Sequence, residues 1–278
     1  MPLRFSDTSF LAKSLTASFD GVSMKGILSS GTIPWTPSQL GASLALWLDA
    51  EDTSTITLNG SNVSQWDDKS GNGRHASQAT AVIQPAYLAT GFNSNPSIDF
   101  DGSNDQLTTS YALDFPFSIS AAVQNDVASG SVRGAVGSGL RRPALGILSA
   151  APAQNSFALW NPDRDRGAYI NNTQTTVPVI LYSDAASDDR LGWNIYVDGS
   201  NAGQVNENIS TLNPANIVRI GYTGNGSEYW NGRISEVVIT SQLLSTDDRQ
   251  KLEGYLAWKW GLTANLPSNH PYKLAPPQ

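Results

Sequence analysis

The chain has 278 residues, enough to bury a sizeable core. It carries 24 Gly, 15 Pro and no Cys, with 40% hydrophobic and only 15% charged residues. That composition suits a turn-rich β protein and excludes a disulfide framework, thiolate metal sites and a cysteine nucleophile. A net charge of −7 without a basic run argues against a phosphate-binding surface, so no nucleic-acid partner is expected.

In chain order, residues 1–38 read as an N-terminal arm or linker. Scattered apolar residues end there in Ile33-Pro34-Trp35-Thr36-Pro37, whose prolines disfavour helix. Phe5, Phe10, Phe19 and Trp35 are its candidate assembly anchors, because aromatic residues dominate interface energetics. The segment lacks a continuous apolar stretch, so neither a signal peptide nor membrane insertion is expected.

Residues 39–278 read as one domain of short strands. Leu44 to Leu48 opens it, Asp49 to Thr55 is turn-like, and Val63 to Asp67 surrounds Trp66. Asp68 to His75 is rich in Gly, Asn and Asp. Ser97 to Asp101 alternates and places Ile98 and Phe100 on one face. Further strands are expected at Phe117 to Val123, Ala144 to Leu148, Ser156 to Trp160, Gly167 to Ile170, Val177 to Tyr182, Gly192 to Val197 and Ile217 to Tyr222. Asp198-Gly199 marks a tight hairpin with positive φ at both central positions. Gly232 to Thr240 is a buried strand, and Leu244 to Trp260 is the single amphipathic helix. Ser245 is its N-cap, Asp247 and Asp248 suit its dipole, and Gly261 stands at C′. Leu252, Tyr255, Leu256 and Lys259 share one side of the helix, and Gly254 suggests close packing on a sheet. The tail from Leu266 to Tyr272 should run extended.

Several fragments together carry a resemblance. They are Trp47-Leu48-Asp49-Ala50, Trp66 to Gly73 (WDDKSGNG), Phe100 to Asp105 (FDGSND), Tyr196 to Gly199 (YVDG), Gly232 to Val237 (GRISEV), Glu253 to Gly261 (EGYLAWKWG) and the Leu266 to Tyr272 tail. In this order they resemble the concanavalin A-like, or laminin-G-like, jelly-roll domains of phage and bacterial surface proteins. The resemblance implies an all-β sandwich of two antiparallel sheets with one C-terminal helix and an extended N-terminal arm. It further implies a structural protein of a phage particle surface: a capsid decoration, fibre or tail-associated component, made in the host cytoplasm and carried on the virion. Other virion proteins and further copies of itself would be its partners, with host-surface carbohydrate as a ligand. A purely architectural virion protein and a bacterial lectin or adhesin module are the first alternatives, and a glycan-degrading enzyme is the third.

Sugar recognition on such folds uses loop aromatics and polar side chains. Trp160, Asn161, Asp163 and Arg164 form one candidate glycan loop, and Tyr222, Asn225, Tyr229 and Trp230 a second. Asp101, Asn104 and Asp105 are weak candidates for Ca²⁺ ligands, since such turns more often cap their own backbone. An enzyme is not expected. Glycoside hydrolysis needs two carboxylates about 5 to 9.5 Å apart. No ExDxxE strand supplies them, Glu236 stands alone on its strand, and Asp163 with Asp165 lies in an Arg-rich turn.

Overall fold

The computed structural model describes residues 34–127, 130, 132–139, 143–148, 156–161, 166–169, 175–187, 192–201 and 216–278. Phe5, Phe10, Phe19, Asp163 and Arg164 lie outside them. Among the described residues run seventeen strands. The first seven are β1 (Leu44–Asp49), β2 (Ile56–Asn59), β3 (Asn62–Trp66), β4 (Ala76–Ser77), β5 (Ala86–Phe92), β6 (Asn95–Asp101) and β7 (Leu107–Leu113). The middle of the chain gives β8 (Phe117–Asn125), β9 (Arg133–Gly137), β10 (Ala144–Leu148), β11 (Ser156–Asn161) and β12 (Arg166–Tyr169). The rest are β13 (Val179–Ala185), β14 (Asn194–Val197), β15 (Ser200–Asn201), β16 (Asn216–Ile220) and β17 (Asn231–Thr240), followed by one α-helix, α1 (Thr246–Lys259).

The fold is an all-β, lectin-like sandwich with that helix at its C-terminal end. Along its length β17 pairs with β8 on one side, and with β6 and then β1 on the other. With β13, β14 and β15 they form the first sheet. The second sheet runs β2-β3-β4-β7-β16-β9-β10-β11-β12, all antiparallel. Period-2 alternation sorts each strand into two faces. Leu46, Leu48, Val237 and Ile239 of the first sheet meet Leu107, Ile220, Val136, Leu145 and Leu159 of the second in the central core.

The opposite face of the first sheet is closed by α1. Trp47, Ala122, Ile180 and Val238 meet Leu252, Tyr255, Leu256 and Trp260 there. Ser245 caps α1 by accepting the Asp248 N–H at 3.1 Å. At its end Leu262 N–H bonds back to the Ala257 carbonyl at 2.7 Å, and Gly261 takes φ +71°, which closes a Schellman turn. Gly254 does not pack on a sheet. A Cβ there would lie 2.5 Å from Cβ of Tyr272, so the glycine admits the C-terminal tail. Trp35, expected in the arm, is 3% exposed, sets its ring edge-on to Tyr255 and donates its backbone N–H to the Pro277 carbonyl. Asp198 and Gly199 both take positive φ in the hairpin that joins β14 to β15.

Candidate functional site

Helix α1 covers the outer face of the first sheet, which leaves the outer face of the second. Register traces one row of residues across it: Thr57, Gln65, Ser77, Thr108, Arg219, Gly137, Ala144, Trp160 and Gly167. Directly paired residues point to the same side of a sheet, so this row lies on one face, accessible from Thr57 to Arg219 and buried from Gly137 to Gly167. It is polar at the β2-β3-β4 end and apolar at the β10-β11 end. At the apolar end Trp160 packs with Ala144, Leu148 and Ala158, with Tyr169 beside them.

Of the two expected glycan groups, the row reaches Trp160 of the first and comes near the second; Asp163 and Arg164 of the first lie outside the described residues. Gly137, paired with Ala144 and hence two strands from Trp160, packs against Thr223 of the second loop. Burial changes their roles. Trp160 and Trp230 are both 0% exposed, so neither offers a ring face to solvent. Tyr222 and Tyr229 are half-buried and stack on each other at 4.2 Å, while Asn225 donates to Glu228 at 3.1 Å. Asn161 lies in β11. The Asp101 carboxylate accepts the N–H groups of Ser103, Asn104 and Asp105, and Asp105 accepts that of Asp101. These carboxylates cap their own turn, and burial pushes Asp105 up to about 6.

At the polar end lies a cleft of about 460 Å³, lined by Thr57, Asn59, Ser64, Gln65, Ser77, Gln78, Ala79 and Gln84. None of the eight is charged. The amides are chained. Gln84 Nε2 donates to the Gln78 carbonyl at 2.6 Å, and Asn59 Nδ2 donates to Gln84 Oε1 at 3.1 Å. Gln65 Nε2 donates to Asp67 at 2.7 Å. Leu58 and Val82, both exposed, flank the cleft in sequence.

A second constellation sits under α1, where Asp49 and Glu236 are direct partners across β1 and β17. Both are buried, and Lys259 reaches between them at 2.6 Å and 2.9 Å. Glu236 also accepts the indole N–H groups of Trp47 (2.7 Å) and Trp260 (2.8 Å) and the Tyr255 hydroxyl (3.0 Å). Four donors on two oxygens describe an ionised carboxylate. Burial raises Glu236 above the usual carboxylate range against the pull of Lys259. Burial alone would lower the Lys259 ammonium, but Glu236 and Asp49 outweigh it and hold it above its ordinary value. Lys69 adds contacts to Asp49 at 2.9 Å and Asp52 at 3.0 Å. Glu51 borders the group with its Oε2 3.9 Å from Lys259, and burial pushes its carboxyl up to about 7. Sequence reading missed this cluster. Glu236 is alone on its strand but not in the sheet, and the missing signal was the pairing of WLDAE with ISEV.

No protein-family profile matches this sequence, and no curated protein does. Solved structures do. A sialidase of Trypanosoma rangeli in complex with sialic acid superposes at TM-score 0.50 and 16% identity, over 76% of this chain and 33% of the sialidase. Domain 4 of AbnA, a GH43 extracellular arabinanase from Geobacillus stearothermophilus in complex with arabinotriose, matches at TM-score 0.53 and 14% identity, over 76% of this chain and 98% of that domain. An arabinofuranosidase complexed with arabinofuranosyl-α-1,2-xylobiose matches at TM-score 0.54 and 14% identity, over 71% and 51%. The chain therefore spans about a third of the sialidase.

These neighbours correct two expectations. The reading as a phage-particle surface component is overturned, because the solved chains that share the fold are sialidase, arabinanase and arabinofuranosidase chains. The expectation that the chain is no enzyme falls with it. The fold is one that glycoside hydrolases carry, and the argument from a missing ExDxxE strand fails physically, since strand pairing assembles Asp49 and Glu236 without any such motif.

Proposed function

We propose that this chain is a carbohydrate-active β-sandwich whose second sheet recognises a glycan on its outer face, acting as part of a glycan-cleaving enzyme. The uncharged, amide-lined cleft carries this reading. Amide and hydroxyl groups held by the fold match sugar hydroxyls, and they lie on the sheet face that α1 leaves open. The arabinanase domain, matched over nearly all its length, supports it because its solved structure holds arabinotriose. The finer assignment to the concanavalin A-like jelly rolls belongs to the same proposal. A glycan array followed by titration calorimetry tests it. Gln65→Ala and Ser77→Ala should each weaken binding by about tenfold or more with the fold intact. Absence of binding to any arrayed glycan would refute it.

One observation favours a second reading, in which the chain itself cleaves glycans. Glu51, raised to about 7, stands beside Asp49 and Glu236 as a proton donor near neutral pH. Against it, Asp49 and Glu236 are 0% exposed and held by Lys259. Release of reducing sugar from arabinan, abolished by Glu51→Gln, would establish it; no release would leave the cluster a structural device.

A further inference from the structure

We infer that the second sheet binds the end of a linear glycan, not an internal stretch of one, because the open row on its outer face is stopped at one end and free at the other. This rests on the glycan-recognition reading above and adds which part of the sugar chain is held.

The accessible row is Thr57, Gln65, Ser77, Thr108 and Arg219, one residue on each of β2, β3, β4, β7 and β16. Four strand steps of about 4.8 Å make it roughly 19 Å long. An extended glycan advances by about one strand spacing per ring, so the row holds about four rings. The cleft occupies the β2-β3-β4 end of this track.

The stop is built on β9. A register shift opposite Leu145 and Gly146 turns both Ala135 and Val136 into the core, which leaves Gly134 and Gly137 on the outer face. A Cβ on either glycine would run into Thr223. The turn after β16 therefore lies flat over β9, directly beyond Arg219, whose partner is Gly137. It is fastened there. The Thr223 carbonyl accepts the Gly139 N–H at 2.8 Å, and the Glu228 carbonyl accepts that of Gly134 at 3.3 Å. The Thr223 hydroxyl donates to the Glu228 carboxylate at 2.6 Å, and the stacked rings of Tyr222 and Tyr229 stiffen the same turn. Past it the row is buried through Ala144 and Trp160, so the track does not continue.

The other end is free. Among the described residues β2 pairs with β3 alone, and Thr57, Leu58 and Asn59 on it are exposed. A sugar chain can leave the sheet across that edge. At the stop stands Arg219, which gives Nη1 to the Ile217 carbonyl at 3.3 Å. A guanidinium has five N–H donors, so donors remain for the hydroxyl that a terminal ring carries where an internal ring carries its next linkage.

Titration calorimetry of the full chain tests this with xylo-, cello- and manno-oligosaccharides of two to six residues, and with any linear glycan that binds on an array. Affinity should rise about tenfold or more from two residues to four and then level off. The tetramer is then used with a bulky aromatic tag on its reducing end, or with a blocking sugar on its non-reducing end. One of these forms should bind like the free tetramer and the other about tenfold or more weakly. Thr108→Trp, which fills the middle of the row, should bring the tetramer down to the affinity of the dimer. Equal binding of both blocked forms makes the row a through-passage, and equal loss closes it at both ends. Either result overturns the inference while the glycan-recognition reading stands. Unchanged tetramer binding by Thr108→Trp, or binding of branched glycans alone, overturns it too. If neither these sugars nor any arrayed glycan binds, the parent reading fails and the inference falls with it.

Discussion

Glu236 shows how much a single buried charge can organise. Its two oxygens take four donors, from Trp47, Trp260, Tyr255 and Lys259, which ties β1, β17 and α1 to one atom pair. Such a network stabilises only while complete, since a lone buried charge keeps its full desolvation cost. Lys259→Met should therefore cost about 3 kcal/mol or more in urea unfolding, because it strands Asp49 and Glu236. Glu51 makes the opposite kind of prediction. Its folded pKa of about 7 lies above the ordinary 4.5, so the fold binds that proton more tightly than the unfolded chain does. Its contribution is present below pH 4.5 and is lost as pH rises through 7. Asp105 and Asp198, both pushed up to about 6 by burial, act in the same direction at lower pH. Thermal unfolding should show stability falling from pH 5 to pH 8, with Glu51→Gln flattening the upper part of that slope. A Glu51→Gln profile that overlays the parent would contradict this assignment.

At the scale of elements, the helix was legible because its signals are local. A serine cap, two aspartates in the first turn and a C′ glycine need no partner to be read, and the structure places them where they were expected. Ser245→Ala should cost about 1 kcal/mol. Gly254 was legible as a close approach but not as to what approaches, because Tyr272 arrives from a tail without periodicity. Intrinsic propensity favours Gly254→Ala by roughly 1 kcal/mol, yet its methyl collides with Tyr272. The substitution should destabilise the parent and become neutral or favourable in a Tyr272→Ala background, which a double-mutant cycle in denaturant measures directly. Buried strands such as β1, β8, β10 and β17 announced themselves by apolar runs. Strands β2, β4, β5, β7 and β9 escaped notice. Four residues of ITLN, two of AS, or the glycine-bearing RGAVG hold too little alternation to stand out from loops.

Those quiet strands explain why the fold was more legible than the site. The cleft is built from β2, β3 and β4 with the turn that follows, and apart from Ser64 and Gln65, on the strand expected around Trp66, its residues lie in polar stretches that local reading assigns to loops. Register alone turns them into one surface. The aromatic loop residues drew attention for sugar stacking, but in a sandwich this size the large rings of Trp160 and Trp230 serve packing. The carboxylate cluster likewise depended on which strands become neighbours, which sequence spacing does not encode. On the whole-molecule scale the two outer faces divide the work. Helix, tail and ion network close the first sheet, and the second offers the polar row.

The most direct test of that division is amide hydrogen exchange on the full chain, with and without a saturating oligosaccharide chosen from a glycan array. New protection should concentrate in residues 56–66 and 76–84, on the cleft strands and the turn between them. Protection confined to α1 and the 262–278 tail would place the ligand on the opposite face and contradict the account.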